Sequence, residues 1–128
     1  IKNYEWSKKN GFHDLTNEWD RSHSVYNFSQ VDSYAYAVHA WLKYPKFGHS
    51  VATDQASRLV RYGLITREEA VTMAKEKDPS LDKKSVEDFC NFLGYTEAEF
   101  WNIVDKFYNT ELFEKDFYGN WALKQPLK

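Results

Sequence analysis

The sequence predicts a mainly α-helical fold, and three observations carry this prediction. Two capping boxes, Thr66 with Glu69 and Thr96 with Glu99, mark helix starts because each joins an N-cap hydroxyl to a carboxylate one turn later. Apolar residues recur through the second half of the chain at i, i+3, i+4 and i+7, the spacing of one helical face. Glycines such as Gly94 follow these patterns, as is typical of left-handed helix ends. We expect about five helices in one compact orthogonal bundle with irregular, aromatic-rich ends.

The first predicted helix follows Asp32 or Ser33, either of which suits the N-cap position. Its apolar residues are Val31, Ala35, Val38 and Leu42. Pro45 disfavours the α conformation in the residue before it, so we expect the helix to end by Tyr44.

The second predicted helix has an apolar side and a charged side. The apolar side consists of Ala52, Ala56, Leu59 and Val60, and the charged side of Asp54, Arg58 and Arg61. Gly63 is expected to end this helix in a Schellman motif, which places Leu64 against Leu59.

Three further helices complete the prediction. The third begins at the Thr66 capping box and ends before Pro79. The fourth has Val86, Phe89, Cys90 and Leu93 on one face and ends at Gly94. The fifth follows Thr96 and has Phe100, Ile103, Val104 and Phe107 on one face.

The length of the chain favours a single domain over 1–128, because 128 residues bury one hydrophobic core and not two. We divide it into an irregular, aromatic-rich lead-in over 1–30 with room for a short helix, a helical core over 31–110 and an irregular tail over 111–128. The chain opens at Ile1 and not at methionine, so we expect the natural start to lie upstream or to have been removed.

The composition argues against several classes of partner. A net charge of −2 gives no basic surface for a phosphate backbone, so nucleic acid is not expected as a partner. The longest near-apolar run, Tyr34 to Leu42, is far shorter than the roughly 20 residues that span a bilayer. The single cysteine, Cys90, is expected to be a small buried apolar residue, which fits a reducing cytoplasm.

No pattern of catalytic or metal-binding residues is visible, and we assign none. The glycines stand singly, so no phosphate-binding glycine loop is present in the chain. The four histidines have no i, i+4 pairing and Cys90 has no cysteine partner, so no metal site and no cofactor held by this chain alone are predicted. The histidines are His13, His23, His39 and His49. Glu68 and Glu69 are best explained by the favourable helix dipole at the start of the third helix.

One stretch, from Lys46 to Arg61, is a candidate phosphate or substrate site. Here a loop leads into a helix N-terminus, whose free N–H groups and positive dipole favour an anion. The candidate residues are Lys46, His49, Thr53, Asp54, Arg58 and Arg61. The alternative is a solvated helix face with an ordinary Asp54–Arg58 pair, and the spacing alone favours that alternative.

A second feature leaves two interpretations open. Tyr34, Trp41 and Tyr44 on the first predicted helix form either a stacking platform for a sugar or base, or part of the hydrophobic core. The core is the commoner use of such residues in so aromatic a chain.

Short motifs in a fixed order carry a resemblance to a known family. They are Lys46-Phe47-Gly48, Ala52-Thr53-Asp54-Gln55-Ala56-Ser57, Arg61-Tyr62-Gly63, Thr66-Arg67-Glu68-Glu69-Ala70, Asp88-Phe89-Cys90-Asn91-Phe92-Leu93-Gly94, Glu97-Ala98-Glu99-Phe100-Trp101 and Asp105-Lys106-Phe107. From about Val31 to Phe107 the chain resembles the C-terminal part of bacterial N-acetyl sugar amidotransferases. These enzymes make lipopolysaccharide and other surface polysaccharides and belong to the PP-loop ATP pyrophosphatase group.

The resemblance implies an ATP-dependent reaction that converts a sugar acetamido group to an acetamidino group. It implies ATP and Mg²⁺ for the intact enzyme, a nucleotide-sugar substrate, and ammonia from a separate glutaminase partner. The Ser-Gly-Gly-x-Asp-Ser loop of the group is absent from this chain, so the chain resembles the helical C-terminal portion of a larger α/β enzyme, inactive alone. The alternative function is a noncatalytic helical module whose exposed aromatics bind a partner protein.

Overall fold

The computed structural model describes residues 1–19 and 21–128. Along this described part of the chain, helices come first and a small hairpin comes last. The helices are α1 (Lys2–Lys9), α2 (Tyr34–Trp41), α3 (Lys43–Phe47), α4 (Val51–Arg61), α5 (Arg67–Lys77), α6 (Lys83–Leu93) and α7 (Glu97–Asp105). The strands are β1 (Phe113–Lys115) and β2 (Trp121–Leu123). The fold is thus mainly helical, as predicted.

Helices α4 to α7 confirm four of the predicted helices. Both predicted capping boxes are present, at Thr66 and at Thr96. At the end of α4 the Leu64 N–H donates to the Leu59 carbonyl at 3.0 Å and the Gly63 N–H to the Val60 carbonyl at 2.9 Å, which is the predicted Schellman motif.

The first predicted helix ends before Tyr44 as expected, but Tyr44 is itself helical, in a second short helix that was not predicted. Helix α2 ends at Trp41, and α3 begins at Lys43 and continues through Pro45. Proline is tolerated there because the first turn of a helix has no intrahelical partner for its N–H groups. Ser33 is the N-cap of α2, its side chain accepting a hydrogen bond from the Tyr36 N–H.

The hydrophobic core lies between α2, α3, α6, α7 and the hairpin. Its buried side chains are Val38, Trp41, Tyr44, Val86, Cys90, Phe100, Val104 and Phe113. The core interpretation of Trp41 and Tyr44 is therefore confirmed, and Tyr34 packs on Trp19 with ring centroids 4.3 Å apart. Cys90 is buried as expected, and burial raises the pKa of its thiol.

The tail was expected to be irregular, and this was wrong for its middle, which forms an antiparallel hairpin with Phe113 opposite Leu123. Phe113 is 1% exposed and packs on Tyr44. The hairpin closes against the end of α3, where Gly48 has φ +76° and an added Cβ would meet Leu123 at 3.0 Å. Each strand is three residues long, too short for an alternating pattern to be recognised.

The lead-in begins with α1 and is irregular afterwards, as predicted. Three of its rings stack in parallel, with Phe28 between Tyr4 and Tyr26. Further along, Trp19 and His23 are buried against the start of α6. No helix in the described residues is both long and apolar enough to cross a membrane.

Candidate functional site

A cleft of about 400 Å³ opens between the lead-in, α2, α3 and α4. Its wall includes Tyr26 from the lead-in, Tyr36 from α2, Lys43 and Lys46 from α3, and Asp54 and Arg58 from α4. Three of the six predicted site residues, Lys46, Asp54 and Arg58, are brought together here.

The cationic groups of the cleft come from two helices. Lys46 lies in the last turn of α3 with its ammonium 5.1 Å from the centre of the Phe107 ring. Arg58 is exposed on α4. The Lys43 ammonium lies 2.5 Å from the Asp54 carboxylate, so this carboxylate pairs across to α3 and not with Arg58. The i, i+4 pair expected between Asp54 and Arg58 is absent from the described ion pairs.

Sequence reasoning missed Lys43. Its signal is the i, i+3 spacing of Lys43 and Lys46, which places both on one helix face only if the helix continues through Pro45. Because no helix was predicted beyond Tyr44, Lys43 and Lys46 were not expected to share a helix face.

Gln55 fixes the wall that the lead-in contributes. Its side chain is 5% exposed, and its Oε1 accepts hydrogen bonds from the Val25 N–H at 2.6 Å and the Ser24 hydroxyl at 3.0 Å. The Ser24 hydroxyl is also 2.9 Å from the Tyr26 carbonyl oxygen. Gln55 thereby holds the backbone around Tyr26 against α4. Gln55 shares the buried face of α4 with Ala52, Ala56 and Leu59, and the sequence pattern gave no sign that it would have this role.

The N-terminus of α4 is bound to an anion of the protein itself. The Asp78 carboxylate, at the end of α5, accepts the Thr53 N–H at 3.1 Å and the Thr53 hydroxyl at 2.5 Å. Asp78 is 1% exposed. Both donors of Thr53 are therefore used internally, and the helix start that we expected to hold a phosphate is occupied at this residue by a carboxylate.

The other predicted residues lie elsewhere. Thr53 and Arg61 line a second cavity of about 340 Å³ between α4 and α5, which Leu127 of the C-terminal tail also lines. His49 lines neither this cavity nor the cleft, and its ring lies 6.3 Å from that of Phe47. The six residues thus do not form one site.

A second polar cluster surrounds Asp82 at the start of α6. Its carboxylate accepts hydrogen bonds from the Trp19 indole N–H at 2.9 Å and from the Ser85 N–H at 3.0 Å, and His23 lies 3.4 Å away. Burial acts to raise the pKa of Asp82, but the contacts with His23, Ser85 and Trp19 outweigh it and lower the pKa to about 2. The cluster ties the lead-in to α6 and does not contact the cleft.

The described wall of the cleft has a single carboxylate that could bind a magnesium ion. Protein-bound Mg²⁺ takes carboxylate ligands together with substrate phosphates. Asp54 is the one carboxylate on the described wall of the cleft, and it is paired with Lys43. The described residues contain no group of three or more His, Cys, Asp or Glu side chains placed to hold a metal. The described wall of the cleft therefore offers no unpaired carboxylate for the Mg²⁺ that the resemblance implies.

Comparison with protein families gives a match over residues 23–128 to the family described as LPS biosynthesis protein WbpG-like, C-terminal domain. The matched range includes every helix from α2 onward, the hairpin and the whole described wall of the cleft. Comparison with curated proteins gives no significant match.

Proposed function

We propose, because this chain belongs to the family of LPS biosynthesis protein WbpG-like C-terminal domains, that it is the helical C-terminal part of an ATP-dependent N-acetyl sugar amidotransferase. A C-terminal domain belongs to a larger protein with other domains. In the proposed reaction the acetamido oxygen of a sugar attacks the α-phosphorus of ATP and pyrophosphate leaves. Ammonia then adds to the activated carbon, the oxygen leaves as part of AMP, and the loss of a proton gives the acetamidino group. The upstream PP-loop domain would hold ATP and Mg²⁺, and a glutaminase partner in the cytoplasm would supply the ammonia.

The role proposed for this chain is to bind a phosphate group in the cleft. The observation that carries it is the convergence of Lys43, Lys46 and Arg58 on one cavity whose described wall has a single carboxylate. Three cations against one anion leave a positive site that favours a diphosphate. The ligand would be the diphosphate of a nucleotide sugar or the phosphates of ATP.

The Lys43–Asp54 pair gives this site a defined resting state. The Asp54 carboxylate holds the Lys43 ammonium at the cleft wall, because the two groups are paired there. A phosphate that enters beside Arg58 offers Lys43 a second acceptor, and ammonium groups have donors enough for both. Asp54 is therefore proposed to position Lys43 and not to contact the phosphate.

The test compares two arginines of one helix. Arg58 and Arg61 both lie exposed on α4, but only Arg58 lines the cleft. In the full-length protein Arg58→Ala is expected to raise the apparent KM for ATP or the sugar nucleotide about 10-fold, because one charged hydrogen bond to the ligand is lost. Arg61→Ala is the matched control and is expected to leave both KM values unchanged.

Salt supplies an independent readout for the same pair of variants. The affinity of the unmodified protein for the phosphate ligand is expected to fall as ionic strength rises, and that of Arg58→Ala to fall less steeply. If Arg58→Ala and Arg61→Ala behave alike in both measurements, the cleft is not the phosphate site.

A second candidate function, a docking module for a partner protein, is favoured by the hairpin tip. Phe117 is 96% and Tyr118 84% exposed, although aromatic rings are normally buried. The turn that carries them is held in shape, because the Asp116 carboxylate accepts the N–H groups of Tyr118 and Asn120 at 2.8 and 2.9 Å. Two adjacent exposed rings on a hydrogen-bonded turn are suited to filling a pocket on a partner.

The double variant Phe117→Ser, Tyr118→Ser tests that function. The expected result is loss of the complex with the glutaminase subunit in sedimentation velocity, with the unfolding midpoint unchanged because neither ring packs in the core. Arg58→Ala serves as the control that leaves the complex intact. A complex that survives the double variant rules out the tip as the docking element.

A further inference from the structure

A column of parallel aromatic rings ends at the cleft. The Phe28 ring stacks on Tyr4 with centroids 4.0 Å apart and on Tyr26 with centroids 4.2 Å apart, the latter pair only 2° from parallel. Two rings at these distances cannot share one face of Phe28, so Tyr4 and Tyr26 cover opposite faces. Tyr26 is therefore the last ring of the column.

The two ends of the column have different surroundings. At the Tyr4 end the Phe12 ring lies perpendicular to Tyr4, with centroids 6.3 Å apart and planes at 83°, and the Lys8 ammonium lies 5.3 Å from the centre of the Tyr4 ring. At the other end Tyr26 lines the cleft, and among the described residues no further ring stacks on it. Tyr4 also lines a cavity, of about 300 Å³, but Tyr26 is the ring of the column that borders the cleft with the cationic residues.

The column is held rigidly beside the cationic residues. Gln55 binds the segment on both sides of Tyr26: its Oε1 accepts the Val25 N–H at 2.6 Å, and its Nε2 donates to the Ser29 side-chain hydroxyl at 3.4 Å. Gln55 belongs to α4, the helix that also carries Arg58. A stacking surface and a phosphate-binding side chain are therefore fixed to the same helix, which lowers the entropic cost of binding a ligand that uses both.

We propose that Tyr26 stacks on the nucleobase of a nucleotide whose phosphates lie against Lys43, Lys46 and Arg58. This inference rests on the proposed function. It adds a binding site for the nucleobase, whereas the cations contact only the phosphates. A nucleobase is the group that matches a parallel ring stack, since each base presents a flat π face. A cavity of about 400 Å³ lies within the range of pockets that hold ligands of this size.

The base belongs either to a sugar nucleotide or to ATP, and the experiment separates the two sources. Calorimetric titrations of the full chain use UDP, ADP and inorganic pyrophosphate as probes. The expected result is tighter binding of at least one nucleoside diphosphate than of pyrophosphate. The preferred nucleotide identifies the source of the base as a pyrimidine sugar nucleotide or as ATP.

Two variants assign the preference to the ring. Tyr26→Ala is expected to weaken binding of the preferred nucleotide about 10-fold and to leave pyrophosphate binding unchanged, whereas Tyr26→Phe retains the nucleotide affinity. Phe12→Ala is the matched control, because it removes a ring from the far end of the same column. Circular dichroism verifies that each variant is folded.

The outcomes separate this inference from the proposed function. If pyrophosphate binds through Arg58 but Tyr26→Ala leaves nucleotide affinity intact, the nucleobase site is disproved and the phosphate site stands. If Tyr26→Ala and Phe12→Ala weaken nucleotide binding equally, the column acts by supporting the fold and the inference also fails. If no probe binds, or binding is indifferent to Arg58→Ala, the proposed phosphate site fails and the inference with it.

Discussion

The four helices α4 to α7 begin in two different ways. Helices α5 and α7 begin at the surface with capping boxes, in which Thr66 and Thr96 exchange hydrogen bonds with Glu69 and Glu99 of the same turn. Helices α4 and α6 begin inside the protein at largely buried carboxylates, Asp78 and Asp82.

The difference lies in what each cap connects. A capping box joins residues one turn apart and stabilises a single helix. Asp78 instead joins the end of α5 to the start of α4, and Asp82 joins the start of α6 to Trp19 and His23 of the lead-in. The buried carboxylates therefore fix how elements are arranged, and their loss is expected to cost more.

The largest effect is expected from Asp82→Ala. It leaves the Trp19 indole N–H and the Ser85 N–H without their acceptor in a largely buried place, and such groups cost about 1–3 kcal/mol each. We expect the free energy of unfolding in urea to fall by about 3 kcal/mol. The intrinsic fluorescence of the folded state is expected to change as Trp19 is released. A loss below about 1 kcal/mol would place Asp82 with the surface caps.

Acid titration sharpens the same point. The pKa of Asp82 is lowered from 3.8 to about 2. The ionised carboxylate therefore adds to the free energy of unfolding above about pH 4, and this contribution is lost as the pH falls through about 2. With allowance for solvent screening this amounts to roughly 1–2 kcal/mol. As the pH is lowered from 5 to 2, the free energy of unfolding of the unmodified protein is expected to approach that of Asp82→Ala. Parallel curves would mean that another carboxylate governs acid unfolding.

Asp78→Ala is expected to destabilise the chain by about 2 kcal/mol, because Thr53 loses the acceptor of both its N–H and its hydroxyl. Thr53→Val is the matched control, since it removes the hydroxyl and keeps the N–H, and is expected to cost about half as much. Hydrogen exchange is expected to quicken at the start of α4 and not at α7. If the start of α4 is equally protected from exchange in the unmodified protein and in Asp78→Ala, Asp78 does not stabilise the start of α4.

The surface caps are expected to matter less. Thr96→Ala removes the hydroxyl that accepts the Glu99 N–H at 3.2 Å and is expected to cost about 1 kcal/mol in urea unfolding. Thr66→Ala is expected to match it, because α5 begins in the same way. A cost equal to that of Asp82→Ala would remove the distinction between local and buried caps.

The smallest effect is expected from the exposed Lys83–Glu87 pair of α6, whose atoms lie 3.4 Å apart. Glu87→Ala is expected to change the free energy of unfolding by about 0.3 kcal/mol, and less in high salt. Lys83→Ala is the control from the other partner of the pair. A change above about 1 kcal/mol in either variant would show an additional contact for that side chain.

The site was predictable only in part, and Lys43, Arg58 and Arg61 show why. Arg58 and Arg61 lie on the charged side of one helix, so the sequence favours treating them alike. The Lys43–Asp54 pair joins α3 to α4, and Arg58 lines the cleft together with Lys43, whereas Arg61 lines the α4–α5 cavity. Membership of a cleft depends on which helices become neighbours, and the spacing within one helix does not specify that.

The sequence by itself determined the class of the fold, the starts of α5 and α7, and the glycine ends of α4 and α6. These features depend on hydrogen bonds and side-chain spacing within a few residues, so a short window of sequence contains all the partners. Only the tertiary structure decided that Asp78 binds Thr53, 25 positions away, and that Asp82 binds Trp19, 63 positions away. Such pairings form because packing leaves buried donors that need an acceptor, and which acceptor is near is a property of the assembled fold.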